Sequence, residues 1–229
     1  MGDYPTAFAI NTIYTYESRD GEVGYWYADM EDFPGEIGHA DVKREKYTSY
    51  YQGPISDSLI VQFEPELGQC LWVLTPENVN QKLVPALSID ASIYTKLNRI
   101  KPVTDDDQTF LQDLLEGKFS RTATWCYYYQ KADLSVQYEQ WENATSLWQE
   151  AADKGFGPSN GIELFPFIKA YLHLGQFDRA LTLSSRAVKI SEGMNPILCT
   201  LWKDPTINAE NQDFSSALTG AREILTCDP

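Results

Sequence analysis

The sequence predicts an α+β protein, with a mainly antiparallel β-rich domain over residues 1–103 and a stack of α-hairpins over residues 104–229. Three observations predict it. Apolar residues alternate with a period of two up to about Leu74, which suits half-buried strands. The punctuation then changes to helix chemistry after Pro102. Finally, an aromatic residue three positions before an alanine recurs at Trp141/Ala144, Phe177/Ala180 and Phe214/Ala217.

Phe8, Ile10, Thr12, Tyr14 and Tyr16 form one face of a first strand, Arg19-Asp20-Gly21 supplies a turn, and Val23 to Tyr27 returns as the second arm of a hairpin. Residues 31–46, acidic and interrupted by Pro34, Gly35 and Gly38, read as a long loop or irregular crossing. Tyr47 to Gln52 alternates aromatic and polar residues until Gly53-Pro54 breaks it, and Leu59, Val61 and Phe63 then share one strand face. Cys70 to Leu74 is apolar on both faces and reads as a central strand. Residues 78–103 carry no decisive pattern, with Pro85 and Pro102 limiting any helix.

Thr104 followed by Asp105-Asp106-Asp107 places a capping hydroxyl and three carboxylates at a helix start, where free N–H groups favour negative charge. Phe110, Leu111, Leu114 and Leu115 form the apolar face, and Gly117 closes the helix. Beyond it, Trp141 and Phe177 lie 36 residues apart, Ala151 matches Ala187 and Tyr128 matches Leu164 at the same offset, and Phe214 follows Phe177 by 37. Small residues spaced seven apart, such as Ala144 and Ala151, let paired helices approach closely. Over about residues 122–226 this pattern resembles the tetratricopeptide (TPR) repeat, a helix-turn-helix unit of about 34 residues. The resemblance implies an interhelical turn at Leu174-Gly175-Gln176, with Pro158 and Pro196 as terminators after the second helices. It also implies that Trp141 fills the core of its repeat. Glu139 stands where the first turn glycine belongs, and Lys203-Asp204-Pro205 interrupts the third unit.

A second, fainter similarity concerns the run Trp125 to Leu134 behind an aromatic-rich β region containing Cys70 to Leu74. Together they are similar to the soluble C-terminal part of bacterial polytopic membrane proteins related to lipid-linked-sugar glycosyltransferases. That similarity implies an extracytoplasmic domain whose membrane segments precede residue 1. A cytoplasmic location is the alternative.

Charge narrows the partners. A net charge of −15, with basic residues nowhere denser than Lys43-Arg44-Glu45-Lys46, disfavours nucleic acid and anionic bilayers. A membrane then enters only through a missing upstream segment. Met1-Gly2-Asp3-Tyr4-Pro5-Thr6 fits a myristoylation pattern, but no polybasic second signal follows. Cys70, Cys126, Cys199 and Cys227 include no C-x-x-C spacing, so neither a zinc knuckle nor a thioredoxin-like site is expected. Buried free thiols are the expected state, with Cys199 and Cys227 the pair able to meet.

Catalytic patterns for zincins, serine hydrolases and P-loop enzymes are missing. His39 in a Gly-rich loop and His173 on a helix face read as structural or solvated, and Gly155-Phe156-Gly157 runs into Pro158 as an inter-repeat turn. Asn143-Ala144-Thr145 is a glycosylation sequon that contains a close-packing alanine. No catalytic, metal-ligating or cofactor-binding residue is assigned, and no cofactor is expected. The candidate binding surface is Tyr127, Tyr128, Lys131, Asp133 and Trp141. The expected function is a non-catalytic protein-interaction or packing module within a larger protein, with a protein or peptide partner. The alternative is an extracytoplasmic carbohydrate-handling domain that takes a glycan.

Overall fold

The structure, a computed structural model, describes residues 26, 41–54, 56, 59–63, 68–75, 124–191, 193–204, 206–207 and 212–227. The expected hairpin over residues 6–27, the helix over 104–117, His39 and the boundary at 103/104 lie outside these, apart from Trp26. The architecture is α+β, with helices dominating. The chain divides into two compact units.

Among the described residues the first unit holds one antiparallel hairpin. Strand β1 (Asp41–Lys46) pairs with β2 (Ser49–Pro54), from Asp41 opposite Pro54 to Lys46 opposite Ser49, and Tyr47 takes a positive φ of 58° in the turn. Residues 41–46 are therefore strand, where a loop was expected. Only Val42 of β1 is buried, so the strand carries no alternation of apolar residues to betray it. The ladder also runs through Gly53-Pro54, because Pro54 sits at its end, where no further N–H is required.

Among its described residues the second unit contains a two-residue pairing of β3 (Val61–Gln62) with β4 (Trp72–Val73), followed by six helices. These are α1 (Trp125–Gln137), α2 (Trp141–Asp153), α3 (Phe165–His173), α4 (Phe177–Ile190), α5 (Met194–Trp202) and α6 (Gln212–Leu225). Strand β4 is shorter than the expected central strand. Cys70, Trp72 and Leu74 are buried while Leu71 and Val73 are half-buried, so one face is inside rather than two.

Helix α1 buries Trp125, Tyr128, Tyr129, Ala132 and Ser135, a 3.6-residue stripe. Helix α1 packs on α2 and α3, α3 on α4, and α4 on α6, so consecutive hairpins stack. Ala144, Ala151, Ala180 and Ala187 are fully buried, which is the close approach predicted for them, and Ala221 of α6 is buried as well. The two first turns repeat bond for bond. Gln140 N donates to Ser135 O and Gln176 N to Tyr171 O, each at 2.9 Å, while Ala144 N and Ala180 N return to Gln140 O and Gln176 O at 3.1 Å. Gly175 has φ 68° and Glu139 φ 58°, so the glutamate occupies the left-handed turn position that glycine fills in the next repeat.

Two expectations fail in detail. Trp141 is half-buried, whereas its counterpart Phe177 is 6% exposed and packs on Phe214 at 5.2 Å between centroids. Pro196 does not terminate a helix but lies in the first turn of α5, where its missing N–H costs nothing. The third unit breaks where the sequence breaks. Helix α5 stops at Trp202, and Asp204 Oδ1 accepts from Thr206 N at 2.9 Å and from Thr206 Oγ1 at 2.7 Å.

All four cysteines are paired, overturning the expectation of free thiols. Cys70 joins Cys126 with Cα atoms 5.2 Å apart, and Cys199 joins Cys227 at 5.6 Å. The second pair closes α5 onto the end of α6, where Asn195 Nδ2 also donates to Leu225 O. The first pair tethers the β4 segment to α1 across 56 residues of sequence.

Candidate functional site

Two clusters of polar side chains stand out in the helical unit. The first surrounds Glu163, in a 3₁₀ turn (Gly161–Leu164) that leads into α3. Asn160 Oδ1 accepts from Ile162 N to cap the turn. Gly161 permits it, since a Cβ there would lie 2.5 Å from the Ala187 carbonyl oxygen and 2.7 Å from Met194 Cγ. Glu163 is fully buried. Its Oε1 accepts from Cys70 N at 3.0 Å and from Trp72 Nε1 at 3.5 Å, and its Oε2 from Trp125 Nε1 at 2.7 Å and Ser159 N at 3.1 Å. Four N–H donors thus surround one carboxylate, as burial of that charge requires. This hub joins β4, α1 and the loop between repeats. Trp125 continues from it into a ring cluster with Trp148 at 6.0 Å and Phe167 at 5.6 Å.

The second cluster lies on the first helices of successive repeats. Asp133 and Gln137 of α1 are matched, 36 residues on, by Lys169 and His173 of α3. Equivalent repeat positions bring these two rows side by side, and Lys169 acts through space on both Asp133 and His173. Beyond α3 comes Asp204, whose charge is felt at His173 and which Lys169 in turn stabilises. Every one of these residues is half-buried. Desolvation pushes the Asp133 carboxyl up to about 6, against a hydrogen bond from Gln137 Nε2 at 3.4 Å and the pull of Lys169. His173 is driven the other way, mainly by burial and also by Lys169, while Asp204 and Glu139 partly restore it. Its ring lies flat on Trp141, 4.0 Å between centroids and 4° between planes, and its buried Nε2 has no hydrogen-bond partner.

The five residues expected to form a binding surface are not all in this stripe. Asp133 and Trp141 are. Tyr127, 44% exposed, and Lys131, one turn on, form a separate outer pair with the ammonium 4.8 Å from the ring centroid. Tyr128 is fully buried, with its hydroxyl donating to Glu150 Oε1 at 3.1 Å and accepting from Lys154 Nζ at 2.6 Å. Lys154 also bridges to Glu150 at 2.7 Å, which raises the ammonium's pKa and lowers that of the carboxyl.

Sequence reasoning missed Glu163, Lys169 and Asp204 and treated His173 alone. For the stripe a signal existed, since the 36-residue offset that aligns the alanines also aligns Asp133 with Lys169. For Glu163 there was none.

Asn143 of the sequon lies on α2 and donates from Nδ2 to Ser135 Oγ at 2.7 Å, beside the buried Ala144. Among the described residues, no group of three or more His, Cys, Asp or Glu side chains could hold a metal ion, and no helix is long and apolar enough to cross a membrane. The first unit's hairpin carries an open depression of about 290 Å³, lined by Lys43, Arg44, Glu45, Tyr50, Tyr51 and Gln52. No family model, curated protein or solved structure matches the chain.

Proposed function

We propose that the chain is a non-catalytic protein-interaction module, the soluble part of a larger protein, built on a tetratricopeptide-type stack. The observation that supports this reading is the half-buried stripe on the first helices. A carboxylate desolvated as Asp133 is costs stability, and core packing has no use for it. A surface that contacts a partner does, because that is where its hydrogen bonds and charge would be completed.

The test is panning of a displayed random-peptide library against the purified chain and against an Asp133→Ala/Lys169→Ala/His173→Ala variant. Peptides enriched by the first and lost by the second are expected, with enrichment retained by a Lys189→Ala control on α4. Absence of enrichment, or enrichment that survives the triple substitution, would remove the reading.

The alternative reading, an extracytoplasmic carbohydrate-handling domain of a glycosyltransferase-like membrane protein, is favoured by one observation. Two disulfides join all four cysteines, as is usual where the surroundings are oxidising. Binding on a glycan array with no peptide enrichment would move the assignment to it.

A further inference from the structure

We infer that Cys70 and Cys126 form a thiol–disulfide exchange site and that Glu163 is its positioning residue. The carboxylate holds the two thiols side by side in the reduced chain, so that an external disulfide oxidises this pair in preference to any other. This assignment is independent of what the helical stack binds.

Four cysteines can form two disulfides in three ways, and the hydrogen bonds of Glu163 favour one of them. Its Oε1 accepts from the backbone N–H of Cys70 at 3.0 Å, and its Oε2 accepts from the indole N–H of Trp125, the residue before Cys126, at 2.7 Å. One carboxylate therefore bonds on both sides of the sulfur–sulfur bond. Trp72 Nε1 adds a longer contact to Oε1 at 3.5 Å, and Ser159, which donates its N–H to Oε2, also donates its hydroxyl to Gly68 O at 2.8 Å. None of these bonds uses a sulfur atom, so reduction of the disulfide leaves them in place. Undocking residues 68–72 would strip the fully buried carboxylate of Cys70 N and Trp72 Nε1, a cost that keeps the segment seated. Thiols 56 residues apart are thus brought together before any sulfur reacts, which removes most of the entropy cost of closure.

Burial sets the order of the chemistry. Cys70 is fully buried and Cys126 half-buried, so Cys126 meets the external disulfide. Its thiolate attacks one sulfur of that reagent, the reagent's S–S bond breaks, and the other sulfur leaves as a thiolate. The Cys70 thiolate then attacks Cys126 Sγ, which forms the bond seen in the structure and releases the second sulfur of the reagent. The two cysteines lose two electrons and two protons, and the reagent gains both and becomes two thiols. Cys199 and Cys227, 28 residues apart on α5 and just beyond α6, are not flanked by the Glu163 bonds and provide the internal comparison.

The test is oxidative refolding. The chain is reduced with dithiothreitol in urea, returned to native buffer without reductant or air, and checked for helix by circular dichroism. Oxidised glutathione is then added, and samples alkylated over time are mapped by peptide mass spectrometry. The reduced chain is expected to regain its helices and to form Cys70–Cys126 and Cys199–Cys227 without crossed pairs. Glu163→Gln should close Cys70–Cys126 about tenfold or more slowly, the worth of one hydrogen bond to a charged group, and leave the rate for Cys199–Cys227 unchanged. Trp125→Phe keeps an aromatic ring and loses the indole N–H. It should slow the same closure about threefold, a smaller change because Glu163 keeps its other donors, and it carries the comparison if the glutamine variant does not fold. A reduced chain that stays unfolded, crossed pairs in the unsubstituted chain, equal slowing of both disulfides in a variant that folds, or an unchanged rate for Cys70–Cys126 in such a variant would overturn the inference.

Discussion

Glu163 and Asp133 lie in the same helical unit and meet burial in opposite ways. The Glu163 carboxylate receives N–H bonds from Cys70, Trp72, Trp125 and Ser159, which replace the water it has lost. Asp133 receives a 3.4 Å bond from Gln137 and answers desolvation with a raised pKa. A fully bonded buried charge holds elements together, whereas a half-bonded one stores free energy that a partner can release. The difference separates a structural hub from the stripe that the interaction-module proposal assigns to a partner.

The sharpest way to break this contrast is Glu163→Gln. One carboxylate oxygen becomes an NH₂ group facing N–H donors, and a loss of about 3–5 kcal/mol is expected in urea unfolding. A change within error would show that the hub is not what holds β4 to the helices. Next in size is the tether beside it. Cys70→Ser with Cys126→Ser opens a long loop and should cost about 2–5 kcal/mol, read as a fall in the urea midpoint under non-reducing conditions.

Trp141→Ala should be milder than the same change in a core, at about 1–2 kcal/mol, because half-burial and one stacked ring are lost rather than a filled cavity. A loss as large as that of Phe177→Ala would place Trp141 back in the repeat core. Glu139→Gly should stabilise by about 1 kcal/mol, since glycine takes the left-handed turn without strain. A fall in melting temperature would assign the Glu139 side chain a role that outweighs its backbone.

Asp133→Asn should stabilise by about 1–2 kcal/mol at pH 7.5. The sign follows from linkage. With its pKa raised from 3.8 to about 6, the folded carboxyl binds its proton more tightly than the unfolded one. Asp133 therefore makes the protein less stable as pH rises from about 4 through 6, and the asparagine variant should lack that slope. His173 acts in the opposite direction, because its lowered pKa favours the unfolded state as pH falls below 6.5. The two contributions are separable in the corresponding single variants.

What could be read from the residues followed their local environment. The hairpins of the second half were legible because Trp141, Phe177 and the alanines recur at the spacing of helix contacts. Strand β1 was not, since five of its six side chains are not buried and leave no alternation to read. The turn at Glu139 was read as a departure, yet the repeat fold imposes on it the backbone that glycine adopts at 175.

The sequence alone determined the class and the period of the helical stack, because those depend on side chains a few positions apart on one helix and on their copies about 36 residues later. Tertiary structure decided the cysteine pairing, the Glu163 hub and the desolvation of Asp133. The donors to Glu163 include Cys70, Trp72 and Trp125, which lie 93, 91 and 38 positions away. These donors are not copies of one another at the repeat offset, so they leave no periodic trace in the chain, and folding alone brings them to Glu163.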